Sequence, residues 1–180
     1  SAESVRRLAD LVTSHGKLLV FADGHWGSFA WLEMGKDPAL LDIFREHRQN
    51  VVPLWKMNCG QVPLSIHGAV LGYWAAGLVD QFGVEPEDWY WFEAGFGGLG
   101  EASGRLNGGD HEKLPPTMWG QMLLLGLASG ASCFCLEPYT GIWRYGHPDQ
   151  TTEAWSRVVK PLLRAVVAHR LVPDRETALA

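Results

Sequence analysis

Four short strand-like runs divide this chain, and helical periodicity fills the spaces between them. The runs are Lys17–Asp23 (Lys-Leu-Leu-Val-Phe-Ala-Asp), Val51–Asn58, Asp88–Phe96 and Ala131–Tyr139. Continuous apolar runs of this length fit strands covered on both faces, as parallel sheets are. Strands that alternate with helices imply a parallel sheet with right-handed crossovers. The helical segments are 3–14, 37–48, 65–81, 116–128 and 152–169. Asp37 and Pro38 form a capped start for the second, and Pro161 is expected to kink the last. The tail after Pro173 is polar and expected to fray.

Four strand–helix units are half of a (β/α)8 barrel, and a complete barrel takes about 250 residues. The chain has 180. It therefore reads as one partial α/β domain of TIM-barrel type, the C-terminal half, strands five to eight of a longer chain. The alternative is a small open sheet complete in itself. The missing N-terminal half of the barrel is then an expected partner. No signal peptide is visible and the chain starts at Ser1 rather than Met, so either a leader was removed or this is a piece of a longer protein.

Composition narrows the functional classes. A net charge of −5 with no basic run argues against nucleic acid. Apolar content of 47% and charged content of 19% are those of a globular protein. The longest nearly uncharged run, Met122–Leu136, is broken by Gly and Ser and short for a membrane span, so no membrane insertion is expected. The three cysteines, Cys59, Cys133 and Cys135, read as free thiols. Nine tryptophans are unusual, and such an excess either lines sites that stack sugar faces or fills a large aromatic core.

The strand ends offer a constellation. Asp88–Phe96 reads Asp-Trp-Tyr-Trp-Phe-Glu-Ala-Gly-Phe, and alternation puts Trp89, Trp91 and Glu93 on one face. The other runs end in Asp23, in Lys56 and Asn58, and in Glu137. Parity groups Asp23 with Leu19 and Phe21, Asn58 with Lys56 and Leu54, and Glu137 with Cys133 and Cys135. All are expected to point inward at one rim. Trp26, Trp55, Trp91, Tyr139, Trp143 and Arg144 lie nearby in sequence as substrate-binding candidates, with Lys56 and Asn58 as donors to hydroxyls. Glu93, Glu137 and Asp23 are the candidate catalytic residues. Glycoside cleavage needs such a set: one carboxylic acid protonates the leaving oxygen, and a second carboxylate activates water or attacks directly. For any one acid a salt bridge or loop cap is the simpler reading, but recurrence across strands favours a site. No His or Cys spacing suits a metal, no Gly-x-Ser-x-Gly marks a nucleophile, and no cofactor is expected.

The segments Pro53-Leu-Trp-Lys-Met-Asn58, Gly68–Asp80, Phe82-Gly-Val-Glu-Pro-Glu-Asp-Trp-Tyr-Trp91 and Gly130–Glu137 resemble the catalytic module of glycoside hydrolase family 98. The resemblance implies a (β/α)8 barrel, usually in a secreted or cell-surface bacterial protein. It implies endo-acting cleavage of β-linked galactosides in blood-group glycans, or of xylan in some members, by inversion. Glu93 and Glu137 match the positions available for the base, with Asp23 third. The family's general acid has no match here and is expected on an earlier strand, outside the fragment, so the isolated chain is expected to be inactive if that strand is required. The family's Asp and Glu base arrangement would be two Glu residues here. A non-catalytic carbohydrate-binding barrel and a half-barrel that pairs with a second chain are the other readings of the same residues.

Overall fold

A computed structural model of the chain describes residues 1–22, 34–57, 63–86, 116–136, 142–144 and 147–180. Helix α1 (Ala2–Ser14) leads into strand β1 (Leu19–Ala22); α2 (Pro38–Glu46) leads into β2 (Val51–Met57); α3 (Pro63–Ala75) leads into β3 (Gly83–Pro86); α4 (Pro116–Ala128) leads into β4 (Cys133–Phe134). The four strands pair in chain order, β1-β2-β3-β4, and every pairing is parallel. Local chemistry starts the helices where expected. Asp37 accepts a 2.9 Å hydrogen bond from the Ala39 amide at the head of α2, with Pro38 in the first turn where its missing N–H costs nothing.

The sheet has two distinct faces. Val51, Trp55 and Met57 of β2 and Val84 of β3 join Ile43 and Phe44 of α2, Val70, Tyr73 and Trp74 of α3, and Trp119 and Leu123 of α4 in one buried core. Leu19, Phe21, Phe134 and Leu136 pack against it. The opposite, inner face carries the alternate residues: Val52, Leu54 and Lys56 of β2, Gly83 and Glu85 of β3, and Cys133 of β4. Strands approach closely there. A Cβ on Gly83 would stand 2.3 Å from Leu54 Cδ2 and 2.7 Å from the Cys133 carbonyl oxygen. Gly130, at φ +96°, turns the chain from α4 toward β4 under the ring of Trp74, in a conformation that a side chain would strain.

Polar bonds join the loops that enter the strands. The Leu19 amide donates to the Asn50 carbonyl at 2.7 Å and the Asn50 side chain to the Lys17 carbonyl at 2.8 Å. Arg48 meets Asp80 at 2.6 Å, and the Asp80 amide donates to the Arg48 carbonyl at 2.9 Å. These contacts hold the N-terminal end of the sheet, the end that carries stability in βα repeats, and leave the C-terminal end for a site.

Five segments differ from the sequence expectation, the helix expected over 65–81 being Pro63–Ala75. The third strand is Gly83–Pro86, ahead of the run Asp88–Phe96, which lies outside the described residues. After β4 an antiparallel hairpin, β5 (Trp143–Arg144) with β6 (His147–Thr151), stands where the sequence pattern marks no strand. Thr152 caps the helix that follows, its hydroxyl accepting from the Trp155 amide at 3.1 Å. That helix contains a π-helical turn, Trp155–Val159, before α5 (Lys160–His169). Pro161 has no N–H, and its ring crowds the carbonyl four residues back. The wider π turn just before it absorbs that misfit.

The last difference is the tail after Pro173, where the sequence predicts a frayed end. It forms a short helix, α6 (Arg175–Leu179), capped by Asp174. Arg175 pins it, donating to the Val79 carbonyl at 2.6 Å and lying over the Trp74 ring.

Candidate active site

Lys56 and Glu85 are Cα partners across the parallel β2–β3 pair. Each is next to last in its strand, so both stand at the C-terminal end of the sheet, on the inner face. Below them lie Leu54, Gly83 and Cys133, an apolar floor. Both charged side chains are half-buried. Burial pushes the Glu85 carboxyl above its ordinary range, and the nearby Lys56 charge works against that shift. One carboxyl oxygen, Oε2, is buried without a hydrogen-bond partner among the described residues. A charged pair over an apolar floor is costly unless something uses it.

Glu85 is not among the residues that the sequence pattern singles out. A signal was present: a short apolar run, Phe82-Gly83-Val84, ends in an acid followed by a strand-terminating proline.

Of the residues expected at the site, Lys56 lies where inward parity put it. Trp55 does not form an aromatic wall. It is 5% exposed, on the helix side, and its ring stacks on His67 with centroids 3.8 Å apart. Adjacent residues in a strand point to opposite faces, so Lys56 inward requires Trp55 outward. Burial lowers the proton affinity of the His67 imidazole. The parity companions of Asp23, Leu19 and Phe21, also pack on the helix side, opposite Lys56.

Trp143 is 39% exposed in the hairpin that follows β4, within reach of a ligand in solution. Arg144 is in the same strand, its side chain outside the described part. Asp23, Trp26, Asn58, Trp91, Glu93, Glu137 and Tyr139 lie outside the described residues. Among the described residues no cluster of three His, Cys, Asp or Glu is placed to hold a metal ion, and no helix is long and apolar enough to cross a membrane.

Sequential parallel strands, helices on one face and charged residues at the C-terminal end of the other define a βα-repeat protein of the kind that builds enzyme sites at that end. The sequence matches Glycosyl hydrolase family 98 over residues 2–173. The chain belongs to that family.

Solved structures agree on the fold. The catalytic module of a family 98 glycoside hydrolase from Streptococcus pneumoniae TIGR4, in its native form, superposes with a TM-score of 0.79 at 18% identity, covering 98% of this chain and 31% of that one. The module in complex with the H-disaccharide blood group antigen gives 0.76 at 20% identity, again over 98% and 31%. The complex with the LewisY pentasaccharide blood group antigen gives 0.73 at 19%, over 97% and 31%. The chain thus spans under a third of the length of the structures it matches. No curated protein matches it.

Proposed function

We propose that this chain is the C-terminal half of a (β/α)8 barrel whose full-length protein is an endo-acting, inverting glycosidase. Its substrates are β-linked galactosides of blood-group type glycans. Membership of family 98 over residues 2–173 is the observation that carries this reading. The similar S. pneumoniae modules bind blood group antigens, which favours that substrate class over xylan. Val20, on the inner face of edge strand β1, is 44% exposed, as expected of a strand whose neighbours belong to the other half of a barrel.

In this reading Glu93 or Glu137 deprotonates the attacking water, Asp23 is the third carboxylate, and the general acid comes from the N-terminal half. Lys56, Asn58, Trp26, Trp91, Tyr139, Trp143 and Arg144 hold the sugar, and the protein is secreted or displayed at the cell surface. An inverting pair stands about 6.5–9.5 Å apart, against about 5–5.5 Å for a retaining pair, because the attacking water needs room.

The test incubates the full-length protein with blood-group oligosaccharides and with xylan and follows product anomers by NMR. Release of an α-anomer from a β-galactoside, abolished by Glu93→Gln or Glu137→Gln, is the expected result. A β-anomer overturns inversion. Cleavage of xylan alone moves the substrate class. Binding without cleavage leaves a carbohydrate-binding barrel.

A further inference from the structure

We propose that Glu85 and Lys56 form a clamp for two neighbouring hydroxyls of the bound saccharide, with the Glu85 carboxylate accepting and the Lys56 ammonium donating. Glu85 is then a specificity-determining residue of the site; the inference rests on the saccharide-binding reading above.

Three observations converge on this pair. The two residues are register partners on adjacent parallel strands, and such partners lie side by side on one face. They stand at the strand ends that face the site, above Leu54, Gly83 and Cys133. Glu85 Oε2 is buried and lacks a donor among the described residues. A buried acceptor without a donor calls for an explanation, and a ligand hydroxyl supplies the missing hydrogen.

The chemistry fits a sugar better than other ligands. A hydroxyl both donates and accepts, so a vicinal diol can give one proton to a carboxylate while taking a hydrogen bond from an ammonium beside it. A carboxylate or phosphate ligand would be repelled by Glu85, and a cation by Lys56. Charge-assisted hydrogen bonds of this kind are the stronger ones.

The experiment uses the full-length protein and the H-disaccharide as probe, with its monodeoxy analogues, measured by calorimetry. Glu85→Gln is expected to weaken disaccharide binding about 10- to 100-fold, the loss of one or two hydrogen bonds to a charged group. One monodeoxy analogue should bind the native protein equally weakly and lose nothing more with Glu85→Gln. Native-like affinity of Glu85→Gln for the disaccharide overturns the clamp, and if cleavage persists beside it the glycosidase reading stands alone.

If the native protein neither binds nor cleaves blood-group sugars, the substrate reading fails, and a crystal structure of the full-length protein decides the clamp separately. Glu85 Oε2 facing an open recess without a protein donor supports it; Oε2 accepting from a protein donor overturns it. Thermal unfolding of Glu85→Gln keeps folding defects apart from binding ones, and a destabilised variant is replaced by Lys56→Met with the same analogues.

Discussion

Trp55 and His67 lie face to face on the helix side of the sheet, ring centroids 3.8 Å apart and planes 19° from parallel. Trp55 Nε1 and His67 Nε2 are both buried without hydrogen-bond partners among the described residues. The stack ties β2 to α3 at the end of the sheet nearest the site. It also makes the fold sensitive to the charge on one imidazole.

Burial lowers the His67 pKa from its ordinary 6.5. The folded state therefore resists a proton that the unfolded chain accepts as pH falls through that value. Stability should be unaffected by this group above about pH 6.5 and should decline as pH falls below it. His67→Phe keeps a ring against Trp55 and removes the proton. Between pH 7.5 and 5.5 it should lose less unfolding free energy than the native protein, measured by urea denaturation at both pH values. Parallel losses in the two proteins would show that His67 does not titrate in this range.

Two glycines should respond oppositely to alanine. At Gly83 a methyl would meet Leu54 Cδ2 at 2.3 Å and the Cys133 carbonyl oxygen at 2.7 Å, and a backbone oxygen cannot swing aside. Gly83→Ala should cost about 3 kcal/mol, at the upper end for overpacking. At Gly72, on α3, an added methyl would meet nothing within 4 Å. Gly72→Ala should stabilise by about 0.5–1 kcal/mol, because alanine loses less freedom on entering a helix. Chemical denaturation of both variants beside the native protein reads the difference directly.

Gly83 also shows why part of the fold was hard to read from sequence. Glycine weakens a strand pattern, so the third strand was expected in the aromatic run that begins five residues later. Tertiary contact with Leu54 and Cys133 requires glycine there, and that requirement is invisible locally. Helix Pro116–Ala128 was legible to the residue because a proline opens it and apolar residues fill it. The Val51–Met57 strand was legible because nearly every residue in it is buried. Period-two alternation groups the described side chains of β1 and β2 as the structure does, but nothing local says which group faces the helices. Leu19 and Phe21 face them, while Lys56 faces away. The strict parity that put Lys56 inward already excluded Trp55 from the same face.

Arg175 should be the residue that orders the C-terminal segment. It donates to the Val79 carbonyl at 2.6 Å, lies 5.4 Å from the Trp74 ring centre, and approaches Asp80 at 3.9 Å. Five-residue helices do not persist alone in water. Arg175→Ala should lower unfolding free energy by about 2 kcal/mol, through a lost charged hydrogen bond and cation–π contact. Amide exchange should accelerate in 175–179 while β2 stays protected. Unchanged protection in that segment would show that α6 is held by something else.

Trp143 and Trp55 should separate binding from stability. Trp143 is 39% exposed in the hairpin after β4, whereas Trp55 is 5% exposed in the core. An exposed indole ring can stack on a sugar face, and its removal leaves no cavity. Trp143→Ala in the full-length protein should weaken oligosaccharide binding about tenfold, with the thermal midpoint nearly unchanged. Trp143→Phe should recover most of that affinity. Trp55→Phe should do the reverse, costing about 1–3 kcal/mol of stability through the space it leaves beside His67, with little direct effect on affinity. Calorimetric binding and thermal unfolding of the three variants place each tryptophan in one class or the other. Unaltered affinity in Trp143→Ala would remove the hairpin from the sugar site and leave the inner face around Lys56 and Glu85 as its described part.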